Sequence, residues 1–226
     1  RMQRMEKPKL SPVIVVSEDG SHTLKVPELK ERYHSHKGAI QESQHVFIQM
    51  GANAHEKEQL NILEIGFGTG LNVLMTVLEK GKQVIYHTLE PFPLDPEMVE
   101  KLNYPEQIGG DSLSIFEKIH DVPWEKTSDI NDQFSLCKFK IGLQDFVPTQ
   151  LYDLIYYDAF APHAQPELWE SWVWEKLMRI LNPEGMIVTY CAKGQVRRDM
   201  QSAGFQVERV PGPPGKREML RATKVE

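Results

Sequence analysis

The stretch Asn61-Ile-Leu-Glu64-Ile-Gly66-Phe-Gly68-Thr-Gly70-Leu-Asn72 sets the class of the fold. Its apolar start, 61–65, predicts a buried strand, its glycines a sharp turn, and the residues after them a helix over 71–79 that Gly81 ends. Downstream the alternation continues. Strands are expected at 84–90, stopped by Pro91, at 134–141, at 154–157, ending in Asp158, and at 186–191. Helices are expected at 96–102, at 112–119 with Leu113, Ile115 and Phe116 on the apolar side, at 167–181 behind Pro166, and at 195–202. Two closing strands, 205–210 and 218–223, flank the turn Pro211-Gly-Pro-Pro-Gly215. Upstream, apolar runs at 13–16 and 23–26 around Glu18-Asp-Gly-Ser21 predict a hairpin, and 38–50 a helix. Residues 1–55 therefore read as a small α/β appendage and 56–226 as an α/β domain whose mostly parallel sheet carries helices on both faces. Ligands of such sheets bind beyond the carboxyl ends of the strands.

Composition excludes several classes. With 40% hydrophobic and 26% charged residues, and Gly and Pro at 15 each, the 226 residues are neither collagen-like nor low-complexity. Cys137 and Cys191 are too few for a disulfide framework or zinc cluster and predict buried thiols in a reducing compartment. No apolar run reaches membrane-spanning length, and the polar, basic start over 1–10 lacks a signal-peptide core, so a cytoplasmic location without membrane contact is expected. The net charge of −6 argues against indiscriminate nucleic-acid binding. Charge is uneven, however. Residues 190–226 hold 8 basic and 4 acidic side chains, leaving 18 of the 26 basic and 28 of the 32 acidic residues elsewhere. That tail is either a solvated surface or a local phosphate-binding patch.

Four places can carry chemistry. Gly66 and Gly68 let backbone turn and approach a ligand, but the position three beyond Gly68 is Leu71, not the small residue of a dinucleotide fingerprint. The strand end also carries Glu64. A carboxylate beside that loop would repel pyrophosphate and suits a cofactor with a cationic amino-acid end, which favours S-adenosylmethionine over NAD; a ligand-free turn is the remaining alternative. Glu90 closes the second strand, where an acid accepts hydrogen bonds from ribose hydroxyls. Asp145, in a loop beside Phe146, would lie over the adenine. Asp158 ends the strand next to the cofactor and would face the transferred group, able to hold an acceptor amine and take its proton. His163 is a second candidate base or simply a surface histidine. No metal-ligand pattern is present.

Glu64-Ile-Gly-Phe-Gly-Thr-Gly-Leu-Asn72, Asp158-Ala-Phe-Ala-Pro162 with Pro166-Glu-Leu-Trp169, and Val196-Arg-Arg198 with Ala203-Gly-Phe205 and Lys216-Arg-Glu-Met-Leu220 occur here in one order. With Tyr33-His-Ser-His-Lys-Gly38 and Glu42-Ser-Gln-His-Val-Phe-Ile48, they resemble the methyltransferase half of the MnmC tRNA-modification enzymes, also known as a stand-alone form, MnmD. The resemblance implies a class I, Rossmann-like S-adenosylmethionine-dependent methyltransferase fold, and methylation of the amine of 5-aminomethyl-(2-thio)uridine at the tRNA wobble position. It implies that Glu64, Gly66, Phe67, Gly68 and Thr69 hold the methionine end, Glu90 the ribose and Asp145 the adenine. Tyr33 and its neighbours would cover the cofactor, and Asp158 would be catalytic. Lys193, Arg197, Arg198, Lys216 and Arg217 would meet phosphates of the anticodon stem-loop. Ala164 and Lys193 stand where the family often has Lys and Ser or Gly. The length leaves no room for the family's FAD-dependent half, so aminomethyl-uridine would come from a separate oxidoreductase or upstream wobble-uridine enzymes. A monomer is expected.

Two other classes share these features. An aminopropyl transferase resembling spermidine synthase would have the same loop, ribose acid and acceptor-side Asp, but no use for a basic tail. A non-catalytic tRNA-binding module would have no use for Glu64, Glu90 and Asp158 together.

Overall fold

The computed structural model describes residues 10–226; the polar start, residues 1–9, lies outside the described residues. Strands β1 (Val13–Val16), β2 (His22–Val26) and β3 (Glu31–Arg32) form a three-stranded antiparallel sheet. The β1–β2 turn also starts the next helix. Asp19 accepts from the backbone N–H of Ser21 and Gln41, and Ser21 Oγ accepts from that of Ala39. Burial raises the Asp19 carboxyl, but the hydrogen bonds from Ser21, Gln41 and Ser17 outweigh it and hold the group below its ordinary value. Helix α1 (Ala39–Ser43) then runs into a π-helical segment, Gln44–Gln49, whose Val46, Phe47 and Ile48 are buried.

The main sheet has eight strands. After β4 (Gln59–Ile65) the chain crosses through α2 (Leu71–Leu78) to β5 (Gln83–Leu89). Helices α3 (Pro96–Val99), α4 (Tyr104–Ile108) and α5 (Ser112–Asp121) lead to the antiparallel pair β6 (Ser128–Asn131) and β7 (Phe134–Phe139). Next come β8 (Tyr152–Tyr157), α6 (Ser171–Ile180), β9 (Leu181–Thr189), α7 (Gly194–Ser202) and the hairpin β10 (Phe205–Pro211) and β11 (Glu218–Lys224). The order is β10-β11-β9-β8-β4-β5-β7-β6, with β9, β8, β4, β5 and β7 parallel. Because β5 and β7 build out on one side of β4 while β8 and β9 build out on the other, the chain reverses direction between β4 and β8. A crevice opens there beyond the carboxyl ends.

The pleat sorts side chains into two core layers. Leu60, Ile62, Leu154 and Tyr156 face α2, α5 and residues 10–55, whose Leu24, Ala39, Phe47 and Ile48 join the same cluster. Leu63, Ile65, Ile155 and Tyr157 face α6 and α7, meeting Trp174, Leu177 and Met200. Every side chain of β8 is buried, as a strand covered on both faces requires.

Several elements depart from the sequence pattern. The helix expected over 167–181 is broken: Pro166–Trp169 is a single 3₁₀ turn, Glu170 is extended (φ −79°, ψ 164°), and α6 starts at Ser171. Trp169 holds the break, its Nε1–H donating to the Phe160 carbonyl at 2.8 Å. Leu113 is 55% exposed rather than on the apolar side of α5, which buries Phe116 and Ile119. The helix expected over 96–102 is the single turn α3. The short polar strands β3 and β6 carry no apolar alternation that would announce them. Both cysteines are free and buried, and among the described residues no helix is long and apolar enough to cross a membrane.

Candidate active site

The turn after β4 closes the crevice from one side. Gly66 has φ +95°, and a Cβ there would lie 2.7 Å from the Asp158 carbonyl oxygen. Only glycine lets the loops after β4 and β8 touch so closely. Gly66 N–H donates to Leu89 O at 3.0 Å, tying the turn to β5 as well. From below, His120 of α5 grips the loop, its Nε2 3.0 Å from Thr69 O. Burial drives the His120 imidazole down to about 4, so it is neutral and Nε2–H donates to that carbonyl.

Three acids lie around this turn: Glu90 and Asp158 just past the ends of β5 and β8, and Glu64 within β4. Glu90 accepts from Gly68 N–H at 3.1 Å and from Phe92 N–H at 3.0 Å. Burial still outweighs these bonds and pushes its carboxyl up to about 7. Glu64 is wholly buried and accepts from Thr88 Oγ1 at 2.7 Å. Burial pushes it up to about 8. Asp158 accepts from Asn72 Nδ2 at 2.9 Å, and Asn72 Oδ1 accepts from Ser43 Oγ at 2.7 Å, which fixes the amide's orientation. Burial raises Asp158 well above the usual carboxylate range, reinforced by Glu42 and Glu64 and opposed by Asn72 and Lys216.

Beyond the strand ends lies a cavity of about 880 Å³, within the size range of small-molecule and cofactor pockets. Tyr33 stands over Gly68 and meets Phe160 edge-to-face at 5.1 Å. The segment carrying Tyr33 is fastened to the opposite rim: His45 Nε2 lies 2.6 Å from Pro211 O, and Lys216 Nζ 3.3 Å from Glu42 Oε2.

The sequence-predicted residues divide cleanly. Tyr33, Gly66, Phe67, Gly68, Thr69, Glu90 and Asp158 line one cavity. Glu64 does not: its carboxylate lies behind the wall, in the core layer of Leu60 and Ile62. Asp145 is exposed and outside the cavity, while Leu143 and Gln144 line it, because the turn from Gly142 points Asp145 outward. His163 is exposed, 3.5 Å from Glu31 and outside the cavity. Lys193, between β9 and α7, and Arg217, in the β10–β11 turn, are exposed, as is Arg198 of α7, whereas Arg197 of α7 is half-buried; none of the four lines the cavity. Lys216 turns inward and lines it. Asn72 and Tyr190 went unassigned from sequence; the signal for Asn72 was a lone amide in the first turn of the apolar helix Leu71–Leu78. Among the described residues no group of three or more His, Cys, Asp or Glu could hold a metal ion.

The geometry suits a cofactor carrying positive charge. Gly66 and Gly68 leave backbone bare, Glu90 sits at the tip of β5, and the Glu90 and Asp158 carboxyls that line the cavity could neutralise a cation. Residues 114–225 match a family described as S-adenosyl-L-methionine-dependent methyltransferase. A 24% identical solved structure, MnmC2 from Aquifex aeolicus, superposes with a TM-score of 0.78 over 97% of this chain and 72% of that one. Spermidine synthase from Thermotoga maritima, 11% identical, shares the fold at a TM-score of 0.55 over 99% of this chain and 84% of that one. Fold and site define a class I, Rossmann-like S-adenosylmethionine-dependent methyltransferase. The chain is 31% identical to the tRNA 5-methylaminomethyl-2-thiouridine biosynthesis bifunctional protein MnmC of Leptospira interrogans, over 83% of this chain and 32% of that protein. It is 28% identical to the protein of the same name from Cupriavidus metallidurans, over 92% and 33%. It belongs with the MnmC-like methyltransferase domains, and spans about a third of the length of the curated relatives it matches.

Proposed function

We propose that this chain methylates the amine of 5-aminomethyl-(2-thio)uridine at the tRNA wobble position, giving 5-methylaminomethyl-(2-thio)uridine. The observation that carries this reading is Asp158, held by Asn72 at the junction of the cofactor loop and a cavity lined by both carboxylates and cations, in a chain whose last 37 residues carry an excess of basic side chains. An amine acceptor attached to a polyanion needs both. The relatives' names supply the substrate class.

S-adenosylmethionine, when bound, supplies a methyl sulfonium that is already reactive, so the protein's part is chiefly alignment. Gly66, Phe67, Gly68 and Thr69 frame the methionine end and Glu90 accepts from the ribose hydroxyls. Leu143 and Gln144, which line the cavity where Asp145 does not, would border the adenine. Tyr33 and the segment up to residue 55 cover the site, completing a unit with residues 56–226. Glu64 acts from behind the wall through its charge. Asp158 orients the acceptor nitrogen and accepts the proton it sheds. Burial raises its affinity for protons, which suits it to accept one, while the Asn72 hydrogen bond and the Lys216 charge favour its ionised form. Lys193, Arg197, Arg198 and Arg217 meet phosphates of the anticodon stem-loop. The protein acts as a monomer in the cytoplasm, and an oxidoreductase step supplies the aminomethyl group.

The test is methyl transfer from labelled S-adenosylmethionine to tRNA lacking the last modification, read by nucleoside mass spectrometry. Appearance of 5-methylaminomethyl-uridine supports the reading, and Asp158→Asn should then cut turnover on the order of 10²-fold with cofactor affinity nearly unchanged. Transfer to free polyamines instead, or wild-type turnover by Asp158→Asn, overturns it.

A further inference from the structure

The inward turn of Lys216 is unexplained by phosphate contact. Its ammonium lies 3.3 Å from Glu42 Oε2 and 4.4 Å from the centroid of the Tyr190 ring. Both partners are rigid. Glu42 is buried, and its other oxygen accepts from Ser35 N–H at 3.1 Å, so only Oε2 is free for a cation. Tyr190 is fixed by its hydroxyl, which donates to Ala159 O at 2.7 Å. Lys216 itself is 37% exposed on a Pro- and Gly-rich loop and free to leave. Glu42, Asp158, Tyr190 and Lys216 all line the one cavity, and Asp158 feels the charge of both Glu42 and Lys216.

A buried carboxylate, a second carboxylate and an aromatic face around one primary ammonium are the recognition elements of an alkylammonium ligand. We propose that Glu42, Asp158 and Tyr190 form the subsite for the acceptor's primary ammonium, and that Lys216 fills it until the acceptor displaces it. The proposal rests on the amine-methylating function above. It assigns the choice of acceptor to charge: a neutral hydroxymethyl group cannot replace the lysine without leaving Glu42 and Asp158 facing each other uncompensated, whereas an aminomethyl group exchanges one ammonium for another.

The two members of this ion pair should respond in opposite directions, which a structural salt bridge would not do. With the free nucleoside 5-aminomethyluridine, which carries no phosphate, Lys216→Met removes the competitor. It should lower KM several-fold with kcat within about twofold, while Glu42→Gln should raise KM on the order of 10-fold. Displacement is read directly by limited acylation of the wild-type protein with an amine-reactive ester. Mass-spectrometric labelling of Lys216 should rise several-fold at saturating 5-aminomethyluridine and stay flat with 5-hydroxymethyluridine. Parallel weakening by both variants, or unchanged labelling in a protein that methylates tRNA, overturns the subsite and leaves the function standing. Displacement of Lys216 by the amine in a protein that does not methylate tRNA sustains the subsite and overturns the function. Thermal melting of each variant alongside wild type separates lost binding from lost folding, and Lys216→Arg, which keeps the cation, should behave as wild type.

Discussion

Glu64→Gln isolates the cost of placing a carboxylate behind the cofactor loop. Glu64 is wholly buried, with Thr88 the hydrogen-bond donor at 2.7 Å. Its carboxyl is raised from 4.5 to about 8, chiefly by burial. At roughly 1.4 kcal/mol per unit, that gap corresponds to a stability difference on the order of 5 kcal/mol across the full titration, and about 3 kcal/mol between pH 4.5 and 7. The sign follows from proton counts. Between the two values the folded chain holds a proton that the unfolded chain has released, so ligand-free stability falls as pH rises from 4.5 towards about 8. Glutamine keeps an acceptor for Thr88 and carries no charge, so the variant should lose this slope and become the more stable protein at pH 8. The assay is urea unfolding of both proteins without cofactor at several pH values. Asp158 and Glu90 contribute slopes of the same sign to both, so the informative quantity is the difference between the curves. Parallel curves would refute the buried, proton-retaining Glu64. The variant should also bind S-adenosylmethionine more weakly at pH 8, because a negative charge near the sulfonium is gone.

Glu90 titrates at about 7, so cofactor affinity in the wild type should rise as pH goes from 6 to 8, as the ionised carboxylate becomes able to accept from ribose hydroxyls; calorimetry of Glu90→Gln should show a shallower rise. Asp145→Ala should leave cofactor affinity within about twofold while Gln144→Ala weakens it, both measured by the same titration, since only Gln144 lines the cavity. Lys193→Ala and Arg198→Ala each remove one cation from the phosphate contacts proposed above. Either should reduce the slope of log affinity for tRNA against log salt by roughly 0.7–0.9, read by filter binding, without changing cofactor affinity.

The parts legible from sequence were those set by local pattern. The glycines of 66–70, the acids closing β5 and β8, and the Asp-Gly hairpin each declare a turn or a strand end within a few residues. Glu64 was open to the same logic, since Leu60, Ile62 and Glu64 alternate along β4. The face that buries the first two also buries the third, away from the strand tip. Asp145 lies in a loop, which has no periodicity to say which of two neighbouring polar residues borders the cavity; both are exposed, and Gln144 is the one that lines it. Lys216 was beyond local reading altogether. Its partner Glu42 is 174 residues away, and only the closure of the β10–β11 turn over the first segment brings an ammonium to that carboxylate. Helix α6 started late for a tertiary reason too, because Trp169 is spent on the Phe160 carbonyl.

The site's acids are best understood together. Glu90, Glu64 and Asp158 are each raised by burial before anything else, so the ligand-free crevice does not carry three full negative charges. The first cation to enter changes that balance. A sulfonium near the Gly66–Gly70 turn makes each ionised form cheaper, and a primary ammonium beside Glu42 and Asp158 does so again. The charge that binds the cationic cofactor and holds the amine is therefore summoned by the ligands themselves. Lys30, Arg32, Lys37 and Lys216 all line the cavity, and of these Lys216 is the one paired with the buried Glu42 and set against the Tyr190 ring. Its exposed stem lets it yield the place to the acceptor, while Lys193, Arg198 and Arg217 are exposed outside the cavity.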